Sequence, residues 1–493
     1  MVEALFNDMS LGVSLVLLLV YLLVLGYTVY RIIMNTQSAA KTMAYLLLII
    51  ILPLLGIVIY YSFGMDTRHG KSNKMLESEY RKVSKEFQEF LGDPSESLLM
   101  EHREILGDFT ELFRFLRHLG HEKLTANSFH LLNNGEEKFP EVLKTLEQAA
   151  EYIHIEYYTW ENDKSGNDLK EVLLKKAKEG VTVRVIYDAF GSRGIRKNIV
   201  RELAAGGVQI HPIIEIKLNR LANRLNHRDH RKIIIVDGHT GFVGGINVSD
   251  RYDNSIDTGL FWRDTHIKMS GPGVMNLQRH FLVNWNFCQE EKLDLDDFKE
   301  PAFPPSDPSA FRGLSQILAG GPIYSQPNIM LGYTRLFTLA REKLYITNPY
   351  FIPNETILDA LKQAALSGVD VRLLLPKESD SALVGAAASF YFKALLRCGV
   401  KIYLYDKGFV HAKTAVADGR VSVVGTANMD IRSFDLNFEI MSVIYGDKFG
   451  AEMERLFLED LEDSEHITLD KWNEQSSLKF LTYAIARLVS SLL

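Results

Sequence analysis

The chain has 493 residues, room for two or three domains, and a formal net charge of −7. That acidic balance weighs against nucleic acid as a partner, since such proteins usually show a basic footprint. Two cysteines, Cys288 and Cys398, declare no disulfide framework and leave the redox compartment open.

Residues 1–10 contain Glu3 and Asp8 but no Lys or Arg, which fits a cleaved signal peptide poorly. Residues 11–30 and 42–64 carry no charge. Each is long enough to span the ~30 Å hydrocarbon core at ~1.5 Å per residue. Tyr27, Tyr30, Tyr60 and Tyr61 stand near the segment ends, as interfacial aromatics do. Pro53 is expected to kink the second segment. Residues 1–65 are therefore read as two transmembrane helices, a membrane-integral, multi-pass anchor. Arg31 and Lys41 lie in the short loop, and Arg68, Lys71, Lys74, Arg81, Lys82 and Lys85 follow the second span. The larger cluster favours a cytoplasmic large domain, with the loop pulling the other way.

Residues 66–125 are charged and helical in pattern and read as a linker. Two units of the same order follow, 126–300 and 309–477. In the first, 150–155 reads as a strand, 167–179 as a helix and 181–187 as a strand. In the second, 344–348, 355–367 and 369–375 take those places. Each continues with a helix, a Gly-Val turn (Gly207-Val208; Gly399-Val400), a strand and a hairpin. This alternation predicts a mostly parallel, helix-covered sheet in each half. Pro301, Pro304, Pro305 and Pro308 mark the boundary within 293–308. At the end, 478–493 places Phe480, Leu481, Ala484, Ile485, Leu488 and Leu492 at helical spacing, an amphipathic helix either interfacial or docked on the domain.

The two hairpins carry the same residues in the same register. His230, Lys232, Asp237 and Asn247 repeat as His411, Lys413, Asp418 and Asn428. Lys232 to Val236 and Thr414 to Ala417 read as short buried strands. Residues two apart share a strand face, so each His and Lys point into one space. Asp-Gly ends each strand and signals a hairpin. A two-residue Gly238-His239 or Gly419-Arg420 loop sets each Asn opposite its His. An Asp-Gly loop leaves it diagonal but on the same face, and a three-residue loop turns it away. Matched polar sets on apolar strands are costly without a purpose. Two histidines, two lysines and two asparagines suit attack on a phosphodiester through a phosphohistidine. The motifs must meet, which implies a pseudo-twofold with the site at the interface. His227, His230 and His239 have no nearby Cys and no suitable carboxylate spacing, so neither metal nor cofactor is expected. Asp237 and Asp418 lie seven residues from His, on the opposite face.

With these motifs the chain resembles the phospholipase D superfamily, whose signature is H-x-K-x4-D-x6-G-[ST/G]-x-N, and within it the bacterial cardiolipin synthases. The resemblance runs from the N-terminal apolar pair to the C-terminus. It includes Trp262-Arg263-Asp264-Thr265-His266, Asn348-Pro349-Tyr350-Phe351-Ile352-Pro353 and Gly408-Phe409-Val410-His411-Ala412-Lys413. It continues in the run from Gly425-Thr426 to Ser433-Phe434 and in Asn437-Phe438-Glu439. The chain departs at Gly245, where a hydroxyl residue is frequent and where Thr426 keeps one in the second copy.

The resemblance implies an α/β protein of two tandem phospholipase D-like α-β-α sandwich domains behind two transmembrane helices. It implies transfer of a phosphatidyl group from one phosphatidylglycerol to another, giving cardiolipin and glycerol. One imidazole attacks phosphorus, with His230 favoured as nucleophile, and the other protonates the leaving alkoxide. Lys232, Asn247, Lys413 and Asn428 bind the phosphate. Asp264 and Glu439 orient the histidines. Asp237 and Asp418 belong to the catalytic signature, although their spacing favours a structural role at the turn. The implied partners are phosphatidylglycerol and membrane lipids, in the inner (cytoplasmic) membrane of a bacterial cell. Tyr157, Tyr158 and Tyr350 either line the entrance or fill the core. Rival readings are another phospholipase D-type phosphatidyl transfer or hydrolysis, a nuclease, and a non-catalytic scaffold binding anionic lipid. Two apolar spans and the acidic balance count against the nuclease, and two complete motifs count against the scaffold.

Overall fold

The computed structural model describes residues 11–36, 39–61, 77–78, 80–86, 93–213, 227–289, 292–293, 298 and 309–490. Arg68, Lys71 and Lys74 and the four boundary prolines lie outside the described residues, as do residues 1–10 and 491–493. Two compact units divide the chain, one N-terminal and one that begins at Lys74.

In the N-terminal unit, unbroken apolar sequence forms the helix Leu11–Asn35. Among the described residues, one helix is long and apolar enough to cross a membrane, Gly12–Asn35. The second expected span is interrupted. The helices Ala39–Ile51 and Pro53–Ile59 flank Leu52, whose backbone leaves the helical region at φ −133° and ψ 73°. Proline disfavours helical geometry in the residue before it and has no N–H to continue the ladder, so Pro53 restarts the helix instead of bending it. Ile32, Ile49 and Tyr60 are buried together in this unit.

The large unit is built on one continuous sheet. Its first half supplies β1 (Thr125–Asn133), β2 (Tyr152–Tyr157), β3 (Thr182–Tyr187), β4 (Gln209–Pro212), β5 (Lys232–Val236), β6 (Thr240–Gly244) and β7 (Thr265–Ser270). The second supplies β8 (Phe311–Gly320), β9 (Lys343–Thr347), β10 (Asp370–Pro376), β11 (Lys401–Tyr405), β12 (Thr414–Ala417), β13 (Val421–Gly425), β14 (Asn437–Tyr445) and β15 (Ser464–Ile467). Their order is β15-β11-β10-β9-β12-β13-β14-β8-β1-β7-β6-β5-β2-β3-β4. Read outward from the central β1·β8 pair, both directions give the same succession of equivalent strands; β15 alone has no counterpart. The halves join through antiparallel β1·β8, from Thr125↔Ser315 to Phe129↔Phe311.

Each half is mixed rather than mostly parallel. Among the numbered strands of the described residues, β2·β3·β4 and β9·β10·β11 alone pair with one another in parallel, through helical crossovers. The H-x-K hairpins and the strands beside the seam are antiparallel. A hairpin connection can only reverse direction, so each half keeps parallel pairing on its outer side alone.

Alternation along β5 sends Ile233 and Ile235 to one core and Ile234 and Val236 to another. Both faces are covered, by helices such as Val274–Cys288 on one side and Lys164–Lys178 on the other. Part of the expected 66–125 linker is core. Leu112, Phe113 and Leu116 of the helix Thr110–Gly120 are buried beside Leu336 and Leu361 of the second half.

Candidate active site

Two-residue strands bring the motifs together. Arg228–Asp229 pairs in parallel with Asn437 and Phe438 at the start of β14, and the His230 N–H donates to the Phe438 carbonyl at 2.9 Å. Phe409–Val410 pairs in parallel with Trp262–Arg263, and the His411 N–H donates to the Arg263 carbonyl at 2.7 Å. Each histidine is thus stitched by its backbone to the opposite half. The next residue on each partner strand is a carboxylate. His230 Nδ1 lies 3.0 Å from Glu439 Oε2, and His411 Nδ1 lies 2.7 Å from Asp264 Oδ2. Asp264 and Glu439 are fully buried and the two histidines nearly so. A carboxylate at Nδ1 fixes the Nδ1–H tautomer and leaves the Nε2 lone pair for chemistry.

The lysines lie beside the rings. Lys232 Nζ donates to the His230 carbonyl at 2.7 Å, and Lys413 Nζ donates to the His411 carbonyl and sits 2.7 Å from His411 Nδ1. Burial pushes Lys232 down to about 7 and Lys413 down to about 8. Burial, then Lys413, brings His411 down to about 3; burial also lowers His230, with Glu439 opposing it. Burial thus favours the neutral form of both imidazoles. Burial would raise Glu439, but His230, Lys232 and the Thr426 hydroxyl hold it below its ordinary value. Lys413 acts on His230 and Lys232 on His411, so the two sets form one electrostatic site.

The hairpin loops differ from both two-residue expectations. Val236 pairs with Thr240 and Ala417 with Val421, so each loop has three residues, Asp237-Gly238-His239 and Asp418-Gly419-Arg420. Asp237 and Asp418 take left-handed backbone, φ 49° and 53°, which Asp tolerates better than most residues. Extended on paper, that register would turn both asparagines away. The ladder, however, ends at Gly244 and Gly425, and later contacts place them. Asn247 Oδ1 accepts from the Thr159 N–H at 3.2 Å, and its Nδ2 donates to the Tyr252 hydroxyl at 2.6 Å. The Tyr252 ring stands 5.6 Å from that of His411. The Asn428 N–H donates to Ser433 Oγ, while its buried Oδ1 has no hydrogen-bond partner among the described residues. Asn428 is the less committed of the two.

Asp237 and Asp418 are removed from this chemistry despite their place in the signature. Asp237 accepts the N–H groups of Ala150, Glu151 and Tyr152, each at 2.8 Å. Asp418 accepts those of Arg341, Glu342 and Lys343 at 2.8–2.9 Å. Each clamps the start of a neighbouring strand to the turn.

The departure at Gly245 has a steric basis. A Cβ there would lie 2.0 Å from Asp264 Oδ1. In the other half, Thr426 Oγ1 donates to Glu439 Oε2 at 2.5 Å. Glycine makes room for one orienting carboxylate, and threonine hydrogen-bonds the other.

Of the three tyrosines singled out, Tyr158 stands 4.8 Å from the His230 ring and Tyr350 stands 6.4 Å from that of His411. Tyr157 is core. Sequence reasoning missed Tyr252, Trp262 as a ring neighbour of His411 at 5.5 Å, and buried Lys138, whose Nζ approaches the Asn247 carbonyl at 3.5 Å. Only the nearness of Tyr252 and Trp262 to the first motif hinted at them. Among the described residues, no cluster of three or more His, Cys, Asp or Glu side chains is arranged to hold a metal ion.

The chain is similar to known proteins over most of its length. The family described as "Cardiolipin synthase, PLD-like domain" matches residues 142–270 and 333–461, and "Phospholipase_D-nuclease N-terminal" matches 19–64. A cardiolipin synthase of Geobacillus kaustophilus is 38% identical over 461 residues, 93% of this chain and 90% of that protein. One of Listeria innocua is 35% identical over 491 residues, 97% of this chain and 99% of that one. The crystal structure of phosphatidylserine synthase from Haemophilus influenzae superposes with a TM-score of 0.57 at 15% identity, covering 78% of this chain and all of the other. That likeness is one of fold.

Proposed function

The chain belongs to the cardiolipin synthase family of phospholipase D-like proteins, and on that premise we propose that it joins two phosphatidylglycerols into cardiolipin with release of glycerol. The observation that carries the mechanism is the reciprocal pairing of His230 with Glu439 and His411 with Asp264. One neutral imidazole attacks phosphorus through Nε2 and forms a phosphatidyl-histidine as the glycerol oxygen departs. The second imidazole, protonated once the phosphodiester anion is bound, gives its Nε2 proton to that oxygen. It then takes a proton from the terminal hydroxyl of the second phosphatidylglycerol, whose oxygen displaces the histidine. Lys232, Lys413 and Asn428 face the charge on the phosphoryl oxygens, so the chemistry needs no metal.

Family likeness favours His230 as the attacking group. A second assignment has one specific support. Lys413 lies beside the His411 ring and disfavours its protonation, which suits His411 to attack and leaves His230 to carry the proton. Mass spectrometry of enzyme quenched during turnover locates the phosphatidyl adduct and decides between them.

The proposed setting is a bacterial cytoplasmic membrane. Helix Gly12–Asn35 enters the bilayer, the Ala39–Ile51 and Pro53–Ile59 pair returns as a broken second span, and the site works on the cytoplasmic side. The test of the reaction is lipid analysis after purified full-length protein meets phosphatidylglycerol vesicles, with and without phosphatidylethanolamine. Cardiolipin and glycerol from phosphatidylglycerol alone are the expected products. Phosphatidic acid alone would point to hydrolysis, and product only with phosphatidylethanolamine would point to a different donor.

A further inference from the structure

The terminal helix Ser477–Ser490 has two unlike faces. Tyr483 and Ala486 are buried, with Ala486 packed against Ala387 of the helix Ala382–Arg397. The other face shows Leu478, Leu481, Ile485 and Leu488, which are 73%, 55%, 54% and 67% exposed. Their spacing of three, four and three forms one stripe. The helix carries Lys479 and Arg487 and no acidic residue. An apolar stripe with basic flanks is the composition of a helix that lies on an anionic bilayer.

Between this helix and Ala382–Arg397 lies a cavity of about 390 Å³, within the range of small-molecule sites. It opens where β10 and β11 end, at Pro376 and Leu404, where open α/β sheets commonly place ligands. Its depth is apolar, with Val384, Ala388, Phe392 and Trp472. Its rim holds Lys377, Lys471, Lys479 and Glu465, and Lys377 also pairs with Asp406 at 2.6 Å. Lys377 and Lys471 both bind Glu465, and the Lys479 ammonium has no partner among the described residues. The wall leads to the active site. Pro349 and Phe351 line the cavity, while Tyr350 between them faces the His411 ring and donates to Asp380 Oδ2 at 2.5 Å.

We propose that this cavity holds one acyl chain of an anionic bilayer phospholipid, with the lipid phosphate among Lys377, Lys471 and Lys479. The exposed stripe, on the helix face away from the cavity, holds the helix on the membrane beside the cavity, and the bound lipid presses on the segment that positions Tyr350. The charge of the rim selects an anionic head group, and the apolar depth selects a chain. The assignment rests on the lipid-transfer reading but concerns a site separate from the two histidines.

The test measures tryptophan quenching in full-length protein carrying His230→Ala, so that no lipid is consumed and the result is independent of turnover. Vesicles contain phosphatidylglycerol brominated on its acyl chains. Trp472→Phe is expected to remove a distinct part of the quenching, and Ala388→Phe, which fills the depth, to remove the same part. Lys479→Glu, an exposed change that spares the core, should weaken that part about fivefold, the effect of roughly one lysine near a lipid surface. Leu481→Glu with Ile485→Glu should reduce it on vesicles while leaving it intact with detergent-dispersed short-chain brominated lipid. Brominated phosphatidylcholine should quench Trp472 far less. Quenching unchanged by both Trp472→Phe and Lys479→Glu, or equal quenching by the two lipids, would overturn the proposal. Failure of cardiolipin synthesis in the unmodified enzyme, with Trp472 quenching intact, would instead count against the reaction.

Discussion

His230 stands between Asp229 and Arg231, whereas His411 stands between Val410 and Ala412. The first pair belongs to a buried polar layer. Arg231 is fully buried, 3.6 Å from Glu156 Oε1, and donates to the His280 carbonyl at 3.4 Å. Asn284 donates to Glu156 at 2.7 Å, and Arg279 pairs with Glu122 at 2.5 Å in the same layer. Burial raises both Glu156 and Asp229, with Arg231 opposing. The equivalents in the other half are apolar: Val410 packs into the shared core, and Ala412 is 1% exposed. Two identically spaced motifs are thus held at equivalent places by different physics. On the proposed mechanism the chemistry constrains the histidine, the lysine and the opposing carboxylate, and leaves each half to support them in its own way.

The comparison breaks most sharply at the histidines. His230→Ala and His411→Ala should each lower cardiolipin formation by about 10³-fold or more, since each removes a nucleophile or an acid–base group. The double variant should be little worse, because the pair acts as a unit. Near-normal turnover in either single variant would end the shared-site account.

Support should fail next, and only on one side. Arg231→Met leaves Glu156 and Asp229 without their cation, and loss of one partner from a buried pair typically destabilises by about 3–5 kcal/mol. Denaturant midpoints should show this for Arg231→Met and almost nothing for Ala412→Ser. Equal effects would show that the ionic layer carries no special weight.

The orienting carboxylates separate the halves more finely. Gly245→Ala sets a Cβ against Asp264, tilts the His411 contact and should cost about 10²-fold in kcat, as a misplacement near 1 Å can. Thr426→Val removes one of several contacts to Glu439 and should lower kcat about tenfold, the lower end of the roughly 1.5–3 kcal/mol that one hydrogen bond to a charged group contributes. The reverse order would place the critical tautomer on His230.

The smallest effect concerns pH. The lysines are charged below their pKa values of about 7 and 8, so charge stabilisation is present at lower pH and is lost as pH rises through that window. kcat/KM, which reports the free enzyme, should fall about tenfold per pH unit within it, and more steeply above it where both lysines are neutral. Lys413→Arg should retain charge and flatten the limb assigned to that lysine. An unchanged limb would assign the titration to another group.

The strands around the motifs were legible because burial on both faces makes them short apolar runs, and the period of two put His and Lys together. The hairpin loop was not, because Asp-Gly suits a two-residue and a three-residue loop alike, and the sequence left both open. Asp237 and Asp418 were legible as turn residues from their distance to His alone. The carboxylate partners were named only through family likeness. Glu439 lies 209 residues from His230 and Asp264 lies 147 from His411, and two-residue strands join them, too short for any periodic signal. The seam strands β1 and β8 were missed, since pairing across 190 residues has no local trace. The broken second span turned on Pro53, whose presence was visible but whose effect depended on the backbone at Leu52.

The reciprocal hold on the imidazoles has a consequence during synthesis. A ribosome adding roughly 5–20 residues per second needs about 10–40 s to travel from His230 to Glu439. Throughout that interval the emerging chain has a finished first motif and, in the proposed membrane setting, phosphodiesters nearby, yet its imidazole has no carboxylate to set the tautomer and no proton donor opposite. A nascent or prematurely ended chain is therefore harmless to the lipid around it. On the proposed mechanism, reactivity appears only when the start of β14 pairs with Arg228–Asp229 of the first half. A protein stopped just before Glu439 and placed in vesicles should release no glycerol from phosphatidylglycerol, and release at even a modest rate would show that one half can arm itself.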